Sequence, residues 1–250
     1  HLLDSLVVFA DAHDTITVRP ASDLRLTVSG PFREGVPTDP SNLVIRAAET
    51  LRRVRNVTAG AEITLEKQLP HAAGIGSGSS DAATTLKALA DMWDVVPLPA
   101  SAPEVALLGA DVPVCVAGPA PQRMRGIGDK LTPVAKLPTC AAVLVNPRAV
   151  LPTMAVFDRL KNKANPGLAA MPEGLDFNDF IAWLAAQRND LQEAAIELAP
   201  DIARAIARLN RQPAVAWAGM SGSGATCFAL FADRSAAFTG ARTLRDVEPG

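Results

Sequence analysis

The stretch Leu69-Pro70-His71-Ala72-Ala73-Gly74-Ile75-Gly76-Ser77-Gly78-Ser79-Ser80-Asp81-Ala82-Ala83 constrains this chain more than any other. Its alternating glycines, Gly74, Gly76 and Gly78, remove side chains where a backbone must bend sharply or meet a bulky ligand closely. Ser79 and Ser80 are favoured helix N-caps, and Leu86, Leu89 and Trp93 follow at the spacing of one helical face. The pattern predicts a glycine-rich loop running straight into a helix. Such a start offers unpaired N–H groups and the positive end of the helix dipole, so its natural ligand is a phosphate. A plain glycine turn capping an ordinary helix is the alternative; the glycines and serines together favour the phosphate.

The loop is not a P-loop, because no lysine follows the glycines until Lys87. It is not a dinucleotide fingerprint either, because the third glycine comes too early. Lys67 lies just ahead of the loop and could reach phosphates, but reads more simply as an exposed lysine at a strand end. Asp111 lies in the otherwise apolar segment Val105 to Val116, where a carboxylate must be satisfied or functional. On the residues alone it divides between a general base and a helix N-cap, with Pro113 suiting a first helical turn. Ser221-Gly222-Ser223-Gly224 is a second glycine turn, able to face an anion or simply to reverse the chain. Around it, Gly219-Met220-Ser221-Gly222-Ser223 approaches the Gly-x-Ser-x-Gly of serine hydrolases. Ser223 replaces the final glycine, however, and no histidine lies downstream.

Length and charge narrow the classes. A chain of 250 residues suffices for one large or two modest domains with real cores. A net charge of −2 carries no basic footprint for nucleic acid. No apolar stretch approaches a membrane span, and the start has no basic signal-peptide region. Cys115, Cys140 and Cys227 are far apart in apolar surroundings and read as reduced core thiols of a cytoplasmic protein. His1, His13 and His71 are too few for a histidine-based metal site, so no metal-ligating residues are assigned.

Short runs rich in Val, Ile, Thr and Leu predict strands over Leu6–Ala10, Thr15–Arg19 and Leu24–Ser29. Residues 42–56 predict a helix capped by Ser41 or Asn42, with Leu43, Ala47, Leu51 and Val54 on one face. Further strands are expected over Ile63–Glu66, Ala141–Val145 and Cys227–Phe231. Helices are expected over Pro103–Leu108, Thr153–Leu160, Asp201–Leu209 and Ser235–Leu244. Strands and helices mix without a regular βαβ rhythm, which predicts an α+β fold in two layers with mixed or antiparallel sheets. Pro147 to Pro152 reads as the boundary between an N-terminal domain, 1–146, and a C-terminal domain, 147–250.

Leu69 to Ala83 resembles the ATP-binding motif of the GHMP kinases, which include galactokinase, homoserine kinase, mevalonate kinase and phosphomevalonate kinase. Four more segments resemble one branch of that superfamily, in that branch's order. They are His1-Leu2-Leu3-Asp4-Ser5-Leu6, Asn42-Leu43-Val44-Ile45-Arg46-Ala47-Ala48, Gly109-Ala110-Asp111-Val112-Pro113-Val114 and Met220-Ser221-Gly222-Ser223-Gly224-Ala225-Thr226. Members of the branch phosphorylate the 2-hydroxyl of 4-diphosphocytidyl-2-C-methyl-D-erythritol, a step toward isoprenoid precursors outside the mevalonate route.

The resemblance implies a two-domain kinase using ATP, with Mg²⁺, on a small cytidine diphosphate substrate, with no nucleic-acid or membrane partner. Pro70, Ala72, Ala73, Gly74, Ile75, Gly76, Ser77, Gly78, Ser79 and Ser80 would hold ATP, and Asn42 would line the adenine site. Asp111 would face the acceptor hydroxyl as the catalytic carboxylate. His1 would read the cytosine edge and Phe157 would stack on the base, although a core Phe is the plainer reading of the residue itself. Ser221, Gly222, Ser223 and Gly224 would lie beside the transfer site. The branch carries an Ala-Lys-Ile/Leu-Asn-Leu strand ahead of the histidine matched by His1, and a final strand beyond the residues matched here. The resemblance therefore implies a piece cut at both ends, poorly active without that lysine. A kinase for homoserine, mevalonate or another small alcohol, and a non-catalytic nucleotide-binding relative, are the alternatives.

Overall fold

Alternation of apolar and polar residues builds the sheets. In the strand spanning residues 60–66, Ala61, Ile63 and Leu65 are buried while Glu62 and Glu66 face water. The computed structural model describes residues 2–71, 73–134 and 136–247. These form two units: Leu2–His71 with Gly76–Val134, and, among the described residues, 73–75 with 136–247.

The first unit runs β1 (Leu3–Val7), β2 (Thr15–Ala21), β3 (Leu24–Ser29), α1 (Leu43–Arg55), β4 (Gly60–Glu66), α2 (Ser77–Met92), α3 (Pro103–Leu108), α4 (Val112–Ala117), β5 (Gln122–Gly126) and β6 (Lys130–Pro133). β1, β5 and β6 form one antiparallel sheet in that order. The other has the order β2-β4-β3, with β4 antiparallel to β2 and parallel to β3, so it is mixed. α1 and α2 pack on each other and against this second sheet. Their buried faces, Val44, Ala47, Ala48 and Leu51 from α1 and Ala82, Leu86 and Leu89 from α2, meet Ala61, Ile63 and Leu65 in one core.

Local chemistry sets the ends of α1. Asn42 is its N-cap, with Oδ1 accepting the Val44 N–H at 2.9 Å. Asn56 takes the left-handed cap at the other end, where Arg52, Arg53 and Arg55 complement the helix dipole.

Three strand boundaries differ from expectation, one of them the start of β4, which lies at Gly60 rather than Ile63. β1 lies earlier, at Leu3–Val7, because its register is set by pairing with β5 from Leu3↔Gly126 to Val7↔Gln122, which leaves Val8 and Phe9 exposed. β2 continues through Pro20 to Ala21; it is an edge strand, where a missing N–H is tolerated.

The second unit runs β7 (Ala141–Val145), α5 (Thr153–Asp158), α6 (Phe177–Ala185), α7 (Leu191–Leu198), α8 (Asp201–Asn210), β8 (Trp217–Met220), β9 (Cys227–Phe231) and α9 (Arg234–Val247). Its sheet is antiparallel in the order β7-β9-β8. Ile202, Ala205 and Leu209 of α8 pack with Cys227, Ala229 and Phe231 of β9 and with Val156 of α5. The cysteines are free thiols, and only Cys227 is fully buried. Cys115 is half-buried and Cys140 exposed, which corrects the reading of three core thiols: Cys115 lies on a less buried face of the short helix α4 than Val112 and Val114, and Cys140 lies in the loop just ahead of β7.

Leu51 is fully buried at the centre of the first core. Leu51→Ala is expected to cost about 2–5 kcal/mol, read as a lowered urea midpoint.

Candidate functional site

β4 delivers the chain toward the glycine run, and α2 receives it. The helix begins at Ser77, with Gly76 at the cap in the left-handed region (φ 67°) and no side-chain cap. Ser79 and Ser80, expected as caps, instead lie in the first turn, because the glycine accepts the backbone conformation that starts the helix at least three residues earlier. The first intrahelical bond runs from the Ser80 N–H to the Gly76 carbonyl at 2.9 Å. The N–H groups of Ser77, Gly78 and Ser79 therefore lie ahead of it, at the positive end of a helix of 16 residues.

The three glycines have different surroundings. A Cβ on Gly76 would meet nothing within 4 Å, and one on Gly78 only the Leu43 Cδ1 at 3.9 Å. These two positions are open, as an approaching phosphate would require. Gly74 is closed: a Cβ there would lie 1.8 Å from the Gly224 carbonyl oxygen. Gly74 is glycine because two backbones touch.

Within the second unit, residues 73–75 are fastened to the turn between β8 and β9. The Thr226 hydroxyl donates to the Ala73 carbonyl at 2.6 Å, and the Thr226 N–H donates to the same oxygen at 3.2 Å. The Ser221 hydroxyl donates to the Gly74 carbonyl at 3.3 Å. The turn closes through the Gly224 N–H to the Ser221 carbonyl at 2.9 Å, with Gly222 and Gly224 both at positive φ. Asn189 braces it from α7's approach, donating to the carbonyls of Met220 at 3.0 Å and Gly222 at 2.8 Å. Ser223 and Thr153 share a hydroxyl–hydroxyl bond of 3.0 Å. Ser221 is thus engaged with backbone, not with a histidine, and the hydrolase reading has no support. Phe157 stands half-buried on α5, beside the fully buried Val156.

Lys67 is not an exposed strand-end residue. It is 2% exposed, because the chain folds back over it: its N–H donates to the Ser29 carbonyl and its own carbonyl accepts from Phe32. The ammonium is paired with Asp14 and, at 3.0 Å, with Asp81 Oδ2, and it approaches the Ser77 hydroxyl at 3.5 Å. Burial lifts the Asp81 carboxyl above its ordinary range, against the opposing pull of Lys67. Sequence reading missed this cluster.

Asp111 follows α3 and stands at the N-cap position of α4, with Pro113 in the first turn. Its side chain makes no capping bond, so capping does not account for it. It reaches solvent on one side, while the protein around it pushes its carboxyl above the usual range by desolvation. The half-buried Cys115 thiol, one turn on, is pushed up to about 12, chiefly by burial and then by the Asp111 charge. The turn after β5 supports this corner: a Cβ on Gly128 would lie 2.1 Å from the Ala110 carbonyl oxygen. Asn42 is 8% exposed, and both ends of its amide are engaged, Oδ1 by Val44 and Nδ2 by the Pro37 carbonyl at 2.6 Å. Pro70 lies on the approach to the loop. His1 and Ala72 are outside the described residues.

Among the described residues, no group of three or more His, Cys, Asp and Glu side chains could hold a metal ion, and no helix is long and apolar enough to cross a membrane.

A mixed sheet bearing an uncapped, glycine-led helix in the first unit, and an antiparallel sheet with a glycine turn between β8 and β9 in the second, define a class. The GHMP kinases N terminal domain matches residues 42–122, and the GHMP kinases C terminal domain matches residues 168–249. A homoserine kinase of Cytophaga hutchinsonii shares the fold, with a TM-score of 0.67 at 16% identity over 93% of this chain and 81% of that one. Curated 4-diphosphocytidyl-2-C-methyl-D-erythritol kinases are far nearer in sequence. Those of Cereibacter sphaeroides and Ruegeria pomeroyi are 48% and 49% identical, each over all of this chain and 88% of the relative. A crystal structure of a 4-(cytidine 5'-diphospho)-2C-methyl-D-erythritol kinase aligns over 98% of this chain and 85% of that one, with a TM-score of 0.73 and 29% identity. The chain belongs to this family of GHMP kinases.

Gly74→Ala is expected to disrupt the second unit and lower the unfolding midpoint well beyond the left-handed backbone cost alone. Gly76→Ala should cost only that backbone term, about 1–2 kcal/mol. Urea unfolding of the two variants measures the difference.

Proposed function

We propose that the chain transfers the γ-phosphoryl group of ATP to the 2-hydroxyl of 4-diphosphocytidyl-2-C-methyl-D-erythritol, as a cytoplasmic enzyme. The observation that carries this reading is 48–49% identity over the whole chain to curated kinases of that name. In the reaction the acceptor oxygen forms a bond to the γ-phosphorus, the bond to the β–γ bridging oxygen breaks, and ADP leaves. Asp111 takes the hydroxyl proton; a carboxyl lifted above its ordinary range is a stronger base for that task. The triphosphate lies along Gly74 to Ser80, where amides ahead of the first helical bond, with the dipole of α2, offset its charge. Mg²⁺ arrives on the nucleotide as part of the substrate, and no protein ligand set is assigned to it.

Further roles rest on the resemblance. His1 reads the cytosine edge and Phe157 stacks on the ring; half-burial on a short helix leaves Phe157 a face for this. Asn42 borders the adenine as an already anchored cap, so it contributes shape rather than a free amide. Ser221 to Gly224 set the loop, with the Ser221 and Thr226 hydroxyls committed to carbonyls of Gly74 and Ala73.

A coupled ADP-release assay tests the substrate. It is run on the protein with the cytidine diphosphate sugar alcohol, homoserine and mevalonate. Turnover is expected with the cytidine substrate alone; a preference for homoserine or mevalonate overturns the reading. Asp111→Asn should lower kcat by about 10²–10⁴-fold with ADP affinity retained. Its stability carries a second sign. A carboxyl whose folded pKa is raised stabilises the fold below its unfolded pKa, and this is lost as pH rises through the folded value. The Asn variant should therefore melt no lower than the parent at pH 8, and any advantage should vanish near pH 4, as thermal scans at both pH values will record.

A further inference from the structure

We propose that Asp14, Lys67 and Asp81 form a positioning cluster for the nucleotide loop, fixing where the chain leaves β4 and where α2 begins without touching the nucleotide. The inference rests on the reading of Gly74 to Ser80 as the ATP site. Its members come from three elements. Asp14 immediately precedes β2, Lys67 immediately follows β4, and Asp81 lies on α2. The pairing Thr15↔Glu66 places Asp14 beside Lys67 at the end of the ladder.

Asp14 does more than pair with the ammonium. Its Oδ1 accepts the N–H of Gln68 at 2.6 Å and of Leu69 at 2.8 Å, the two residues that carry the chain toward the glycines. Lys67 reaches the other way, to Asp81 at 3.0 Å and toward the Ser77 hydroxyl at 3.5 Å. One side chain thus spans from the exit of the strand to the first residue of the helix. Both ends of the loop's approach are fastened to one buried ion cluster. The side chains of Lys67, Asp14 and Asp81 are 2%, 1% and 7% exposed.

Such a cluster is a poor device for stability alone. Removing charges from water offsets much of their attraction, and apolar residues of the same volume often serve as well. What two carboxylates around one ammonium supply is geometry: each bond has a direction, and the bonds are satisfied in one arrangement only. Here that arrangement determines where the amides of Ser77, Gly78 and Ser79 point.

The test is ADP affinity by calorimetry in the parent, Asp14→Asn, Asp81→Asn, Lys67→Met and the Lys67→Met/Asp81→Asn double variant. Asp14→Asn keeps an acceptor for the two amides and removes only the charge. Each single substitution should weaken ADP binding about tenfold or more, as loss of supporting residues does elsewhere. The double variant should be no worse than its worse parent, because the members act as a unit. An effect confined to Lys67→Met would make Lys67 a ligand contact and overturn the proposal. So would variants that melt earlier yet bind ADP normally. Should the variants fail to fold, amide exchange in the parent decides: ADP must slow Gln68 and Leu69 together with Ser77 to Ser80, and unchanged exchange at 68 and 69 overturns it. A parent that binds no ADP would refute the ATP-site reading instead, a result distinct from all of these.

Discussion

The backbone contact between Gly74 and Gly224 is the constraint on which the conformation of residues 73–75 depends. Two peptide groups meet so closely that one added carbon at residue 74 would fall 1.8 Å from an oxygen. The hydroxyls of Ser221 and Thr226 hold the contact by donating to the carbonyls of Gly74 and Ala73. Orienting these carbonyls also orients the peptide planes beside them, because each plane is rigid. The N–H groups of Gly74 and Ile75 are thereby set by a turn some 150 residues further along the chain. A loop of glycines would otherwise carry the largest conformational entropy of any sequence, and an anion would have to order it on every binding event.

Much of this was legible from the residues. The helix after the glycines, the N-cap at Asn42, the helix ending before Gly109 and most strand cores follow from period and punctuation, and they stand where expected. These features are local: each depends on residues within one or two turns. The expected start of α2 falls at least three residues late because Ser79 and Ser80 are better caps by composition. A glycine in the left-handed region can start a helix without any side-chain bond, and single-residue preference does not register that option. β2 runs past Arg19 through Pro20, because an edge strand can leave the N–H that proline lacks without a partner.

Lys67 was illegible for a different reason. Its partners lie 53 and 14 residues away, and nothing in the neighbourhood Glu66-Lys67-Gln68 marks the side chain as buried. The signal that could have found it is register. Two alternating strands, 15–21 and 60–66, paired antiparallel from Thr15↔Glu66, place the residue before one beside the residue after the other. An aspartate and a lysine at those two positions are then neighbours by construction. The same reasoning does not reach Asp81, whose approach depends on how α2 lies on the sheet. That is decided by packing of Leu86, Leu89 and Ala82 rather than by pairing.

The glycine run therefore carries two functions that one motif conceals. Gly74 is small so that protein can approach protein, whereas Gly76 and Gly78 are small with nothing of the protein in the space a side chain would take. A pattern of alternating glycines treats the three alike, since it records only what is missing. The distinction appears once each absent Cβ is placed and its neighbours are identified. Open space at 76 and 78 is what a bound phosphate requires, whereas the backbone contact at 74 holds residues 73–75 against the turn between β8 and β9.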